Sequence, residues 1–375
     1  MKVVQAKYEA GVWKFRKEPS ELVNPIVLIF GDRHLLEESA FIEDCKIQFP
    51  YNNLVFGTAA GEILGDRISE NEAVATFIDL KKSHFNIKTA NIHEFNMDGV
   101  ALGKHLISSL DQNNLRHVFV ISEGSFINGS DLLRGLEHEE SKQFCVTGGM
   151  CGDGPRFEKT LAGLNAAKEG EVVAIGFYGD NLEVSFASVG GWIPFGPERL
   201  ITRSEKNILF ELDGQPALDL YSKYLGEKSA ELPQSSLFYP LYVREEGKKH
   251  PVVRTILNIN RENNSMILAG DVPQGSRVQL MMASADALLN GAQEAAALAN
   301  QDRKKSPELA ILVSCIGRKL VLSQRAEEEI EEVINVIGKD VTVGGFYSYG
   351  EIAPFYGESL GSLHNQTMTL TLLSE

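Results

Sequence analysis

The residues best equipped for chemistry gather near the carboxyl end of the chain. The stretch GGFYSYGEIAPFYGESLGSLHNQTMTLTLL, Gly344 to Leu373, holds Tyr347, Tyr349, Glu351, His364, Asn365 and Thr367. Side chains two residues apart on a strand project to one side, so Tyr347 and Tyr349 share a face. With Glu351, His364 and Asn365 they make a wall of donors and acceptors, and a few convergent polar groups of this kind orient a ligand in a pocket. Upstream, LAILVSCIGR reads as a buried strand ending in Ser314, Cys315, Gly317 and Arg318. Ligands of open α/β sheets collect beyond the carboxyl ends of strands. Arg318 can there hold a carboxylate through two parallel hydrogen bonds, or favour a thiolate at Cys315.

Each of these residues has a second reading. Cys315 is a nucleophile only with a base in reach, for which His364 is the candidate; otherwise it is a small core residue. His364 can equally bond a loop backbone. Glu351 can bond turn amides, as can Glu62 and Asp153 in similar turns. Arg254 in VVRTIL and Arg277 in GSRVQLM either face solvent or pair inside a cleft. No established catalytic pattern fits. GGMCGDG lacks the Lys-Ser/Thr ending of a phosphate loop. Ser348 in FYSYG comes nearest to a nucleophile elbow but lacks its first glycine. No catalytic or metal-ligating set is assigned, and the expectation is a protein that is not an enzyme.

Composition narrows the field. The 375 residues are 43% hydrophobic and 23% charged, an ordinary globular balance. The 36 basic and 51 acidic residues leave a charge of −15. That argues against nucleic acid, whose phosphates need clustered cations, and against an anionic membrane surface. MKVVQAKYEAGVWKFRK carries no apolar run of signal-peptide length, and no later stretch approaches a membrane span. A cytoplasmic location is the expectation, with Cys45, Cys145, Cys151 and Cys315 as thiols. The absence of CxxC, HxH and HExxH spacings leaves a metal site without support.

Three segments share a layout that would position the candidate residues. NPIVLIF reads as a strand, DRHLLEESAFIEDC as a helix, NLVFGT as a second strand, AAGEILGD as a turn and AVATFIDL as a returning strand. HVFVIS, the helix SDLLRGLEHEE opened by Ser130, QFCVTGGMCGDG and EVVAIGFYG repeat the order. LAILVSC, the helix SQRAEEEIEEVINVIG, VTVGGFYSYGEI and QTMTLTLL repeat it again. Ile26 to Gly61 and His117 to Gly152 each span 35 positions, and Leu309 to Gly350 spans 41. A glycine followed by an acid recurs as Gly61-Glu62, Gly152-Asp153 and Gly350-Glu351, which fits one ancestral unit used repeatedly.

Ile330, Val333, Ile334 and Ile337 form one stripe of a helix capped by Ser323 and ended by Gly338. SADALLNGAQEAAALANQ is a second helix, with Leu288, Leu289, Ala292, Ala295, Ala296 and Ala299 on its packed side. HFNIKTANI, NLEVSFASVGGW, PVVRTILNI, SMILAG and SRVQLMMAS read as strands between the units. The predicted fold class is therefore α/β in the mixed α+β sense, with helices over mixed sheets. The least regular region, from GPERLITRSEKN to REEGKKHP, places a domain boundary near residue 221, giving domains 25–220 and 221–375.

The assembled strings GTAAGEI, GGMCGDG, ELDGQPALDLYSKYLG, VVRTILNI, AGDVPQGSRVQLM, AILVSCIGRKLVL, GGFYSYGEIAP and LHNQTMTL resemble the FIST family from about Pro25 to Leu373. The resemblance implies a FIST-N-like and a FIST-C-like half, and a cytoplasmic signal-input module. Its relatives are fused to signalling outputs or to F-box adaptors, and are proposed to bind small ligands such as amino acids. A subset is reported to bind haem and sense nitric oxide. For this chain the resemblance implies a stand-alone sensor acting through a separate partner protein. The ligand would be an amino acid or small carboxylate, held by Arg318, Cys315, Ser314, Tyr347, Tyr349, Glu351, His364 and Asn365. No cofactor is required on this reading. Haem remains as an alternative implied by the family, with His364 or Cys315 as ligand, and so does a cysteine-dependent enzyme using Cys315 and His364.

Overall fold

A computed structural model describes residues 1–16, 21–137 and 144–375. The tail of the helix expected from Ser130, the start of the strand expected from Gln143, and Lys17 lie outside the described residues. A hairpin, β1 (Lys2–Glu9) and β2 (Val12–Phe15), precedes the first unit. That unit runs β3 (Ile26–Gly31), α1 (Arg33–Glu37), α2 (Ser39–Gln48), β4 (Leu54–Thr58), the hairpin β5 (Glu62–Leu64) and β6 (Arg67–Ser69), and β7 (Ala73–Asp79). Edge strand β8 (His84–Asn91) and α3 (Gly99–Ser109) lead into the second: β9 (Leu115–Ser122), α4 (Gly129–Leu136), β10 (Cys145–Met150), β11 (Ala162–Leu164) and β12 (Glu171–Tyr178).

β13 (Glu183–Val189) is followed by a β-rich insertion. It comprises β14 (Ile193–Glu205), β15 (Ile208–Leu212), β16 (Gln215–Pro216), α5 (Ala217–Leu225), β17 (Leu241–Arg244), β18 (Val252–Arg254), β19 (Ile256–Asn260), β20 (Ser265–Leu268) and β21 (Arg277–Met282). After α6 (Ala285–Asn300), the third unit is β22 (Leu309–Cys315), α7 (Ile316–Leu322), α8 (Ala326–Ile337), β23 (Thr342–Ser348), the hairpin β24 (Gly350–Pro354) and β25 (Gly361–His364), and β26 (Met368–Ser374).

In every unit the first strand pairs in parallel with the second and antiparallel with the return: β3 with β4 and β7, β9 with β10 and β12, β22 with β23 and β26. The excursion between second strand and return never joins its own sheet. β5 adds to β23, β24 adds to β10, and β11 adds to β4, closing a cycle of three exchanges. Strands from both sides of residue 221 share three of the four sheets, two of them through these exchanges and the third within the β-rich insertion, and residue 221 itself lies in α5. The sheets of the three units meet in a common core where Phe30 stacks on Phe346 with centroids 4.3 Å apart. The mixed α+β class is as predicted.

Hydrogen bonds at the strand ends give the equivalences. Ala60 N–H donates to the Tyr347 carbonyl at 2.8 Å, and Tyr349 and Gly152 donate to Met150 and Thr58 at 3.1 Å. Asp32, Glu123 and Cys315 donate to the carbonyls of Glu72, Glu171 and Thr367 at 2.9, 2.9 and 3.1 Å. Just before each return strand the backbone turns left-handed, at Asn71, Gly170 and Gln366. On this frame Gly61-Glu62 and Gly350-Glu351 coincide, but Gly152-Asp153 does not. Gly152 matches Ala60, and Asp153 opens an insertion, residues 153–160, before β11 resumes the register.

Four further expectations change in detail. The first unit's helix breaks in two at Glu38, which is extended (ψ 111°). The helix expected from Ser130 is capped by Asn128, whose Oδ1 accepts from Ser130 and Asp131. Ser323 sits at φ 52° as the C-cap of α7 and does not open α8, which starts after Arg325; Gly338 ends α8 as expected. The region read as least regular is ordered strand and helix around its own core, its alternation blurred by register shifts in β14.

Candidate functional site

The third unit brings together most of the candidate residues, but not around one hollow. Arg318 is fully buried and already paired with Glu329 of α8, at 3.0 Å. Its Nε donates to Glu329 at 3.1 Å and Nη2 to the Leu288 carbonyl at 2.8 Å, and Nη1 bonds the Gly190 carbonyl. Glu329 also accepts from Ser314 Oγ at 3.1 Å and Tyr347 Oη at 2.5 Å. An ion pair with every partner buried is a closed network. The carboxylate expected from a ligand at Arg318 is supplied by the protein. Glu329 carried a signal in the sequence: it falls on the buried stripe with Ala326, Ile330, Val333 and Ile337, where an acid requires a partner.

Glu351 forms a second closed group. It accepts from Ser348 Oγ at 2.5 Å, and from Thr367 N and Oγ1 at 3.2 and 2.9 Å. Burial pushes its carboxyl up to about 8. Burial also raises the Cys315 thiol far above its ordinary range, so Cys315 lacks the thiolate a nucleophile needs. Asn365 Oδ1 accepts from Thr255 N at 3.4 Å, while its Nδ2 is buried with no partner among the described residues. Tyr349 turns away to the inserted loop. It donates to the Gly154 carbonyl at 2.9 Å, accepts from Phe157 N at 3.2 Å, and stacks on the Phe157 ring at 4.5 Å.

His364 is the one candidate that leads to open space. Its Nε2 contacts the Ala353 carbonyl at 2.9 Å, burial lowers its pKa to about 4, and its ring meets the edge of Phe355 at 4.8 Å. Phe355 lines a cleft of about 520 Å³ bounded by α4, the β17–β18 hairpin and the β24–β25 hairpin. Leu133, Val252, Phe355 and Leu363 give it an apolar lining; Arg134, Glu137, Lys249 and Glu358 add ionisable groups of both signs, and His250 an imidazole. Arg134 is fixed by Asp271 at 2.8 Å. The Glu137 carboxyl accepts the Gly361 N–H, and burial raises it to about 7. His250 stacks on Phe355 at 4.6 Å and faces Glu358 at 3.2 Å.

Arg254 braces the cleft from behind. It donates to the carbonyls of Asp271 and Leu363 at 3.0 and 2.8 Å, and burial lowers its pKa to about 10. Arg277 is exposed. Arg134, Glu137, His250 and Phe355 were missed in the sequence because three distant stretches supply the walls; apolar neighbours around Arg254 were the only hint.

The expected haem ligands do not fit that group. His364 has its Nε2 committed to a carbonyl, and Cys315 is packed at 2% exposure beneath the third unit. No group of His, Cys, Asp and Glu among the described residues is arranged to hold a metal ion. No helix among them is long and apolar enough to cross a membrane.

Two of the three interlocked α/β units and the β-rich insertion thus border a cleft of about 520 Å³. Family models place the chain: the FIST N domain matches residues 25–215 and the FIST C domain residues 217–354. The chain belongs to the FIST family, whose domains are sensory domains of signal transduction. No curated protein matches it.

Proposed function

We propose that the protein is a cytoplasmic sensor that binds a small amphipathic carboxylate, an amino acid above all, in the cleft between α4 and the two hairpins. It acts through a separate partner protein. The observation that carries this reading is the cleft itself: an apolar lining with charges of both signs, its walls drawn from both FIST halves. A ligand's carboxylate would meet Arg134, its ammonium Glu137 or Glu358, and its side chain Phe355 and Leu363. Occupancy would tie α4 to the exchanged hairpin of the third unit. Arg254 and Asn365 join that hairpin to the β18–β19 segment, giving binding a route into the fold.

The cysteine-enzyme and haem readings gain no support from a buried thiol and a committed imidazole. A thermal-shift and calorimetric screen of amino acids and small acids tests the proposal. A ligand at about 100 times its Kd adds ~2.7 kcal/mol of stability. Arg134→Ala is expected to weaken it at least about tenfold, the range for a charged hydrogen bond. A screen without hits, or an Arg134→Ala variant that binds like the parent, defeats the reading.

A further inference from the structure

The charged groups around the cleft beside Phe355 are not equally committed. Arg134 lies between Asp131 and Asp271, and Lys206 also reaches Asp131. Glu358 at the hairpin tip faces His250 at 3.2 Å and Lys249 at 3.5 Å. Arg254 is bonded to backbone carbonyls and has Glu245 nearby. Lys248 stands on the exposed turn of the β17–β18 hairpin. Glu137 is different: it is half-buried in the wall and has no ion-pair partner among the described residues.

Glu137 is also held in place. It is the C-cap of α4, where the last helix carbonyls concentrate partial negative charge. Its Oε1 accepts the Gly361 N–H, and a Cβ on Gly361 would stand 2.7 Å from that oxygen. The missing side chain of Gly361 is what lets the carboxylate rest on the exchanged hairpin. Carboxylate and helix end thus set the same sign of charge at one corner of the cleft. A cation there restores the solvation that burial removed, and an anion is repelled. A ligand carboxylate gains less at Arg134, because that guanidinium is exposed and already lies between two aspartates.

We propose that Glu137 makes this cleft select its ligand by an ammonium group, with the carboxylate contact at Arg134 the weaker of the two. The proposal rests on the cleft being the ligand site, and it narrows the ligand class to primary amines with an aliphatic body, amino acids among them. It also gives binding a pH sense. Burial puts the Glu137 carboxyl at about 7, so below that pH an ammonium, which favours the ionised form, must displace a proton. Among the groups facing it, Arg134 and Arg254 remain cations, and Cys145 of β10, raised by burial to about 11, remains a thiol. His250 with Glu358 is the other titratable pair on the rim.

Calorimetric titration of the full chain with leucine, isoamylamine and isocaproate at pH 8 and pH 6 tests it. The three share a side chain and differ only in their charged groups. At pH 8 the parent is expected to bind the amine at least about tenfold more tightly than the acid, the scale of a charged hydrogen bond. Toward pH 6 the amine should weaken, by up to about tenfold per pH unit once Glu137 protonates, and the acid should strengthen. Glu137→Gln keeps an acceptor for Gly361 and should abolish both the preference and the opposed slopes. His250→Gln should leave the slopes opposed; slopes that vanish there and persist in Glu137→Gln overturn the proposal. Leucine that binds Glu137→Gln as it binds the parent, with acid and amine equal, overturns it too and leaves the cleft reading intact. Glu137-dependent amine binding to which leucine adds nothing upholds it and strikes only the carboxylate from that reading. Silence from all three compounds at millimolar concentration overturns both.

Discussion

Glu62 and Glu351 occupy the same position in two units, each following the matched glycine, yet their surroundings differ. Glu351 is enclosed by hydroxyl donors, Ser348 and Thr367, with Cys315 nearby. At the equivalent places Glu62 has Ala59, Glu72 and Asp32. Its Oε2 is buried with no partner among the described residues. Burial raises both carboxyls; at Glu62 the charges of Asp32 and Glu72 raise it further and Lys319 opposes them. One backbone frame thus holds a buried acid either satisfied or exposed to like charge. Around Glu351 and Tyr347 the dense polarity of the carboxyl tail is of the satisfied kind, whereas Asn365 Nδ2 and Gln366 Oε1 are buried with no partner among the described residues. That polarity closes the third unit, and the open space lies where exchanged hairpins meet foreign helices.

The harshest test of that contrast is Arg318→Met. It should leave Glu329 buried without its cation and cost ~3–5 kcal/mol in urea unfolding. Ligand binding in the cleft beside Phe355 should not change. A stable variant with lost binding would return Arg318 to the role its sequence position implied. Next in size, Glu351→Ala should cost ~2–3 kcal/mol, because it strands Ser348 and Thr367. Glu62→Gln removes an acid with an unclaimed oxygen among like charges, and should stay within ~1 kcal/mol of the parent. Equal losses at the two sites would erase the distinction.

What the sequence revealed follows the reach of its signals. Strand runs and the stripes of α6 and α8 are local, and each unit's order was legible. The exchange of β5, β11 and β24 was not, because a hairpin's partner is chosen through backbone groups that every residue carries. The shared glycine–acid turn misled at Asp153, where an eight-residue insertion happens to begin with an acid. Arg318 was recognised as important, and its partner Glu329 was visible in the helical period. The cleft was not, since Arg134, His250 and Phe355 are brought together only by the fold.

A smaller effect concerns pH. Glu62 and Glu351 bind protons more tightly folded than unfolded. Their stabilising contribution is complete below about 4.5 and is lost as pH rises through about 8 for Glu351. Each such carboxyl removes up to ~1.4 kcal/mol per pH unit across that window. Glu351→Gln should flatten the alkaline slope. His117 and His364, lowered by burial to about 3 and about 4, act in the opposite sense and withdraw stability as pH falls below about 6.5. A stability profile flat from pH 5 to 8 in the parent would contradict the burial of both acids.

The finest probe is Tyr349→Phe, at the border between the matched units and the inserted loop. The hydroxyl makes two bonds to residues 154 and 157, while ring stacking on Phe157 survives the substitution. Losing them should cost ~1 kcal/mol. Asp153, Arg156 and Asp32 still tie the loop down, with Arg156 reaching Asp153 at 2.6 Å and Asp32 at 2.7 Å. Faster hydrogen exchange should therefore be confined to residues 153–160, and the strands of the three units should exchange at parental rates. If protection falls in β23 and β24 as well, the loop belongs to the cooperative core and is not an insertion laid over it.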